Sequence, residues 1–243
     1  MRVKTMGTVA ACLAATLIGG FTLRADDEPK GKSDGRAWTD TFEEKASDLV
    51  PTGRNPFFIL EPGYTLEFAG KDKGKQATLV ITVLDETRKV DGVETRVVEE
   101  RETLGGAVVE VSRNYFAISK VTNNVYYFGE EVDIYKKGKV VSHEGGWLSG
   151  NDGARYGLAM PGTPLLGSRY YQEVAPGKAM DRAEVTSLTV EHKTPAGTFK
   201  NCLVTEETTP LEPGDVESKV YARGVGLLQD GVMKLVRHGV IKK

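Results

Sequence analysis

The sequence predicts an almost all-β domain of about a dozen antiparallel strands, curved into an open or closed barrel, with one short N-terminal helix. Three observations lead there. From Tyr64 onward, strand-type runs recur at about ten-residue spacing with Gly turns between them. No helix-length apolar period separates these runs, so parallel strands joined by crossover helices are excluded. About a dozen strands is more than an open, twisted sheet holds without curling or splitting. A barrel is therefore the first choice and a two-layer β-sandwich the second.

The chain opens with the pattern of a secretory leader over residues 1–25. Arg2 and Lys4 form a positive start, Met6 to Leu23 is apolar or small, and Ala25 precedes the acidic pair Asp26-Asp27. Two other readings of this segment are a membrane anchor, which Gly19, Gly20 and several Thr weaken, and a lipoprotein signal at Cys12, which has too short an apolar stretch before it. Residues 26–36 are charged and lack an apolar pattern, which predicts a disordered linker. Residues 37–243 form one β-rich domain. Within it, Trp38, Phe42, Ala46 and Leu49 recur at spacings of four, four and three, which predicts a helix over 37–50.

Antiparallel sheet is expected across 64–237. Asp91-Gly92 between Val90 and Val93 is a hairpin signal, because a tight turn of this kind needs positive φ at both central positions. Val109 and Val111 share one parity while Phe116 and Ile118 share the other, so a bulge is expected near Arg113-Asn114. The rhythm breaks from Glu144 to Gly167, a Gly-rich stretch that reads as a long loop without a useful strand. Its Trp147 is expected to pack against the barrel opening, as a lid or a well-packed Ω-loop.

Composition narrows function by exclusion. Net charge is −2, falling to −5 without the leader cations Arg2, Lys4 and Arg24, and no basic cluster suggests nucleic acid. Cleavage after Ala25 would leave Cys202 as the lone cysteine, so no internal disulfide is expected and Cys202 reads as a packed thiol.

Several motifs resemble a widespread family of uncharacterised exported bacterial proteins. They include Asn55-Pro56-Phe57-Phe58 with Leu60-Glu61-Pro62-Gly63, and Tyr127-Phe128-Gly129-Glu130-Glu131-Val132-Asp133. Further along come Glu144-Gly145-Gly146-Trp147, Thr209-Pro210-Leu211-Glu212-Pro213-Gly214 and Tyr221-Ala222-Arg223-Gly224-Val225-Gly226-Leu227. The resemblance covers roughly residues 55 to 228. It implies export and a β-rich fold, and brings no reaction, cofactor or catalytic residue. The Tyr-Ala before Gly-Val-Gly-Leu is also similar to the tail of lipoprotein-carrier-type open β-barrels.

No nucleophile elbow, zinc-protease helix or phosphate loop is present, so no catalytic residue, metal ligand or cofactor is assigned. The acidic runs Asp85-Glu86, Glu99-Glu100-Arg101-Glu102 and Glu206-Glu207 read as solvated surface. The candidate ligand-binding residues are Trp147, His143, Glu144, Asp152, Tyr127, Met160 and Glu173, which cluster in sequence around the Gly-rich stretch. Two functions follow as expectations. One is a secreted or periplasmic, non-enzymatic protein holding an apolar or amphipathic small molecule in a barrel concavity. The other is a secreted metal-dependent or acid/base enzyme using His143, Glu144 and Asp152. The leader reading predicts that envelope-derived protein begins at Asp26. Intact mass checks this, and retention of residues 1–25 or a lipid on Cys12 would overturn it.

Overall fold

The computed structural model describes residues 37–240; the expected leader at 1–25 and linker at 26–36 lie outside them. The strands begin with β1 (Leu49–Val50), β2 (Gly53–Asn55), β3 (Phe58–Leu60), β4 (Tyr64–Asp72), β5 (Lys75–Val90) and β6 (Val93–Leu104). Next come β7 (Ala107–Ser119), β8 (Val125–Lys136), β9 (Lys139–Ser142), β10 (Trp147–Leu148), β11 (Arg155–Met160) and β12 (Arg169–Tyr171). The last are β13 (Glu173–Val174), β14 (Arg182–Thr194), β15 (Gly197–Thr208), β16 (Glu217–Ala222), β17 (Gly226–Asp230) and β18 (Met233–Val240).

Thirteen of these strands form one nearly closed barrel in the order β12-β14-β15-β16-β17-β18-β4-β5-β6-β7-β8-β11-β13. Pairings between these strands are antiparallel, as the absence of crossover helices requires. The two ends of the order, β12 and β13, are consecutive in the chain with Gln172 between them. Tyr170 pairs with Ala183 on one side, and Glu173 pairs with Tyr156 on the other. The segment Arg169–Val174 thus stitches the barrel shut by bonding first leftwards and then rightwards.

Local chemistry explains the meander. Asp91 and Gly92 have φ of 48° and 79°, the left-handed pair a two-residue hairpin requires, and they join Val90 to Val93. The bulge expected near Arg113-Asn114 on β7 is not there. Strand β7 runs in unbroken register with β6 from Glu110 to Phe116, its inward face polar at Glu110, Ser112 and Asn114 and apolar from Phe116 on. The bulge lies on the partner strand β8. Asn114 opposes Glu130 but Phe116 opposes Tyr127, so the extra residue lies on β8 beside Gly129, at φ +121°.

Two further expectations are corrected. Residues 37–50 do not form a helix; only a single 3-10 turn, Ala46–Asp48, interrupts an extended strap. Tertiary partners outweigh the apolar spacing. Thr39 bonds the backbone of Arg169 and Tyr171, and Trp38 lies under the guanidinium groups of Arg169 and Arg182. Farther along, Phe42 packs on Tyr126, and Glu44 accepts from the hydroxyls of Ser119 and Tyr126. The strap thereby belts the seam from β12 to the β7–β8 turn. The second correction concerns Glu144–Gly167, which contains the barrel strand β11. Gly157 disguised it in the sequence, yet a Cβ there would lie 2.3 Å from the Gln172 carbonyl, so the glycine is what lets the seam close. Cys202 is buried, and burial pushes its thiol pKa up.

Gly157→Ala should destabilise the fold by about 1–3 kcal/mol, the usual cost of overpacking. Hydrogen exchange should speed up at Tyr156 and Glu173 while Leu79 and Ile81 stay protected. Unchanged exchange at the seam would contradict this account.

Candidate functional site

Residues directly opposed across antiparallel strands share a face, so the register traces the barrel lining rung by rung. Leu235 opposes Phe68, which opposes Leu79, then Glu102, then Glu110. On the neighbouring rung, Leu66 leads through Ile81 and Glu100 to Ser112 and Val132. A third rung runs from Val83 through Val98 and Asn114 to Glu130, and on to Trp147. Beyond the seam, Tyr170 opposes Ala183 and then Glu207, while Lys219 joins Thr205 to Asp230. The inner wall therefore sets acidic side chains among a larger number of aliphatic and aromatic ones.

All of these acids are buried: Glu100, Glu102, Glu110, Glu130, Glu207 and Asp230, with Glu173 beside them. This corrects the reading of Glu100, Glu102 and Glu207 as solvated surface, while Arg101 and Glu206 are exposed as expected. Strand alternation sends Glu100 and Glu102 inward with Val98, while Glu99 and Arg101 point outward as an ion pair. Asp85 and Glu86 are exposed, as expected.

Among the described residues, Lys219 and Arg96 are the buried cations. Arg96 is engaged by the carbonyls of Pro51, Leu84 and Glu86 and by Thr52. Lys219 Nζ lies 2.7 Å from Glu207 Oε2 and 3.9 Å from Asp230 Oδ2. Burial opposes its charge, but Asp230 and Glu207 outweigh burial and hold the ammonium protonated. Glu207 is well satisfied, accepting also from Gln172, Thr205 and Tyr221. Asp230 is not: neither of its oxygens has a hydrogen-bond partner, and burial raises its pKa.

Among the described residues the other buried cation, Arg96, is held by backbone carbonyls rather than by the remaining acids. Both Glu130 oxygens and Glu100 Oε2 lack hydrogen-bond partners, as does the buried Tyr170 hydroxyl. Burial drives Glu130 well above the carboxylate range, and the charges of Glu173, Glu100 and Glu110 add to the rise, while the nearby Tyr127 hydroxyl opposes it. Glu100 is raised by burial and then by Glu102. Burial with the charges of Glu110 and Asp230 lifts Glu102 to about 8, and burial lifts Glu110 to about 7. The charges that Glu100 feels, from Lys219 and Asp230 as well as Glu102 and Glu110, join the two groups of acids into one interior cluster.

The sequence-derived candidates divide between this interior and the surface. Trp147 is buried, donates from Nε1 to Glu173 Oε2 at 2.7 Å, and meets Tyr127 edge-on. Tyr127 donates to Asn114 Oδ1 at 2.6 Å. Met160 is buried, near the Asn55 side chain that ties the Asn123 and Pro161 carbonyls together. His143, Glu144 and Asp152 are exposed and do not converge. His143 pairs with Asp133 at 2.8 Å and Asp152 with Lys178 at 3.1 Å. The cleft beside Trp147 and Asp152 holds about 20 Å³, room for one water. No group of three or more His, Cys, Asp or Glu among the described residues is arranged to hold a metal ion.

No family model, curated protein or solved structure matches the chain. Its site is read from its own chemistry.

The raised carboxyls make stability depend on pH. A carboxyl whose folded-state pKa lies above its ordinary value binds protons preferentially in the folded state. The stability it contributes is complete below about pH 4.5 and disappears as pH rises through 7 to 8. At about 1.4 kcal/mol per pH unit, Glu110 alone makes the difference roughly 3 kcal/mol. Ligand-free protein should therefore melt at a lower temperature at pH 8.5 than at pH 4.5, and Glu110→Gln should flatten the dependence. A higher melting temperature at pH 8.5 would contradict the protonation scheme.

Proposed function

We propose that this is an exported, non-enzymatic binding protein that holds an amphipathic small molecule inside its barrel. The supporting observation is the lining itself: buried carboxyl oxygens without partners stand among Phe68, Leu79, Ile81, Val132 and Leu235 on the inner face of one sheet. A buried polar group with no partner costs free energy, on the order of 1–3 kcal/mol. A molecule with an apolar body and polar ends would meet both kinds of side chain in such a wall. The N-terminal pattern of residues 1–25 and the likeness to exported proteins support the location. The enzyme reading draws no comparable support, since His143, Glu144 and Asp152 each face solvent.

Two measurements test the proposal. Protein purified from its native envelope and denatured should release a small molecule detectable by mass spectrometry. Refolded protein should bind a dodecyl-chain fluorescent probe saturably. Ile81→Trp, which fills the lumen while circular dichroism reports the strands intact, should weaken the probe at least tenfold. An empty extract together with no saturable probe binding would overturn the proposal.

A further inference from the structure

We propose that the ligand is an aliphatic amine carrying more than one ammonium group, its charged ends seated on the carboxyls of Glu100 and Glu130. This rests on the barrel being a binding protein and names the chemistry of what it binds.

Charge is the first argument. Seven buried acids share the interior with one ammonium, because Arg96 is engaged elsewhere. Lys219 compensates Glu207 and Asp230, so among the described residues no buried ammonium is set against Glu100, Glu102, Glu110 and Glu130. Protonation alone does not resolve this. It removes the charge, but both Glu130 oxygens and one Glu100 oxygen still lack a hydrogen-bond partner.

A second observation does not involve a carboxylate. The Tyr170 hydroxyl is buried on the rung of Glu207, feels that carboxylate, and has no hydrogen-bond partner. A buried phenol normally finds one. Carboxyls and a phenol oxygen left open together call for a donor from outside the chain, and N–H groups satisfy both.

Geometry selects the kind of cation. The open groups come from β6, β8, β12 and β17, and among the described residues no three acids are arranged to hold a single metal ion. Glu130 is one two-residue step and two strands away from Glu100. With ~7 Å for the step and ~4.8 Å per strand spacing, their backbone positions are roughly 12 Å apart. A chain of methylenes between two ammonium groups lets each reach one of these seats, and the aliphatic rungs of Leu79, Ile81 and Val132 lie alongside. Lys219 supplies the pattern: it is already an alkylammonium buried in the barrel, held on Glu207.

The experiment uses spermidine, 1,8-diaminooctane and the neutral amphiphile 1-decanol on the mature chain. Each probe is added during refolding from urea, so that slow entry does not obscure binding. Calorimetry should give saturable binding of both amines at low salt, weakened at least tenfold in Glu130→Gln and in Glu100→Gln. Binding should also ionise buried carboxyls, so the enthalpy at pH 6.5 should vary with the ionisation enthalpy of the buffer. That second readout stands even where a variant fails to fold. Amine binding that is unchanged in both variants, or independent of buffer, marks the exposed acidic surface and overturns the inference. Binding of 1-decanol without the amines overturns the amine class alone. Binding of no probe, with the lumen filled by water only, removes both this inference and the reading beneath it.

Discussion

The barrel depends on six residues that bond in two directions. A sheet of this length has two edges, and each exposed edge is a template for unwanted pairing. Arg169–Val174 removes both at once, with β12 completing one margin and β13 the other. The kink at Gln172 has a further effect. Strict alternation would put Tyr170 and Glu173 on opposite faces, yet both are buried, so the phenol and the carboxyl are brought inside from a single short segment. The strap from Trp38 to Glu44 then covers the outside of this closure.

Closure is also what gives the interior acids their character. In an open sheet Glu100, Glu102 and Glu130 would be hydrated and ordinary. Enclosed, they lose water and gain one another's repulsion, and among the described residues only Lys219 answers them. Such an arrangement weakens the folded state relative to an apolar core of the same volume. Perturbed carboxyls gathered in one enclosed space are more characteristic of a site than of a scaffold.

The fold was legible because turn chemistry and strand spacing are local. Asp91-Gly92 specifies a hairpin without reference to the rest of the chain, whereas the apparent parity change at Asn114 arises because the inward face of β7 is polar from Glu110 to Asn114. The strap was misread because its residues serve distant partners: Trp38 serves Arg169 and Arg182, and Glu44 serves Ser119 and Tyr126. Strand β11 hid behind Gly157, a residue chosen for what lies across the seam. The site was half legible. Trp147, Tyr127 and Glu173 stand out as a buried group, but the runs at Glu99–Glu102 and Glu206-Glu207 look like surface to any argument from composition. Period-two alternation with Val98 was the available signal for Glu100 and Glu102.

The pairing of β18 with β4 sets Leu235 opposite Phe68, so the first long hairpin of the chain waits for the last strand to arrive. The seam imposes the same delay from the other direction, since Thr39 bonds to Tyr170. Contacts so distant in sequence form slowly, because loop entropy is lost before they contribute. The central meander from β4 to β8, joined by tight turns, can assemble while the chain is still incomplete. Its outer margins stay unpaired until the C-terminal strands dock. Any state of the chain in which those strands have not yet docked leaves the acid-lined face of the meander open to water, and from such a state a molecule reaches the interior without crossing the closed wall.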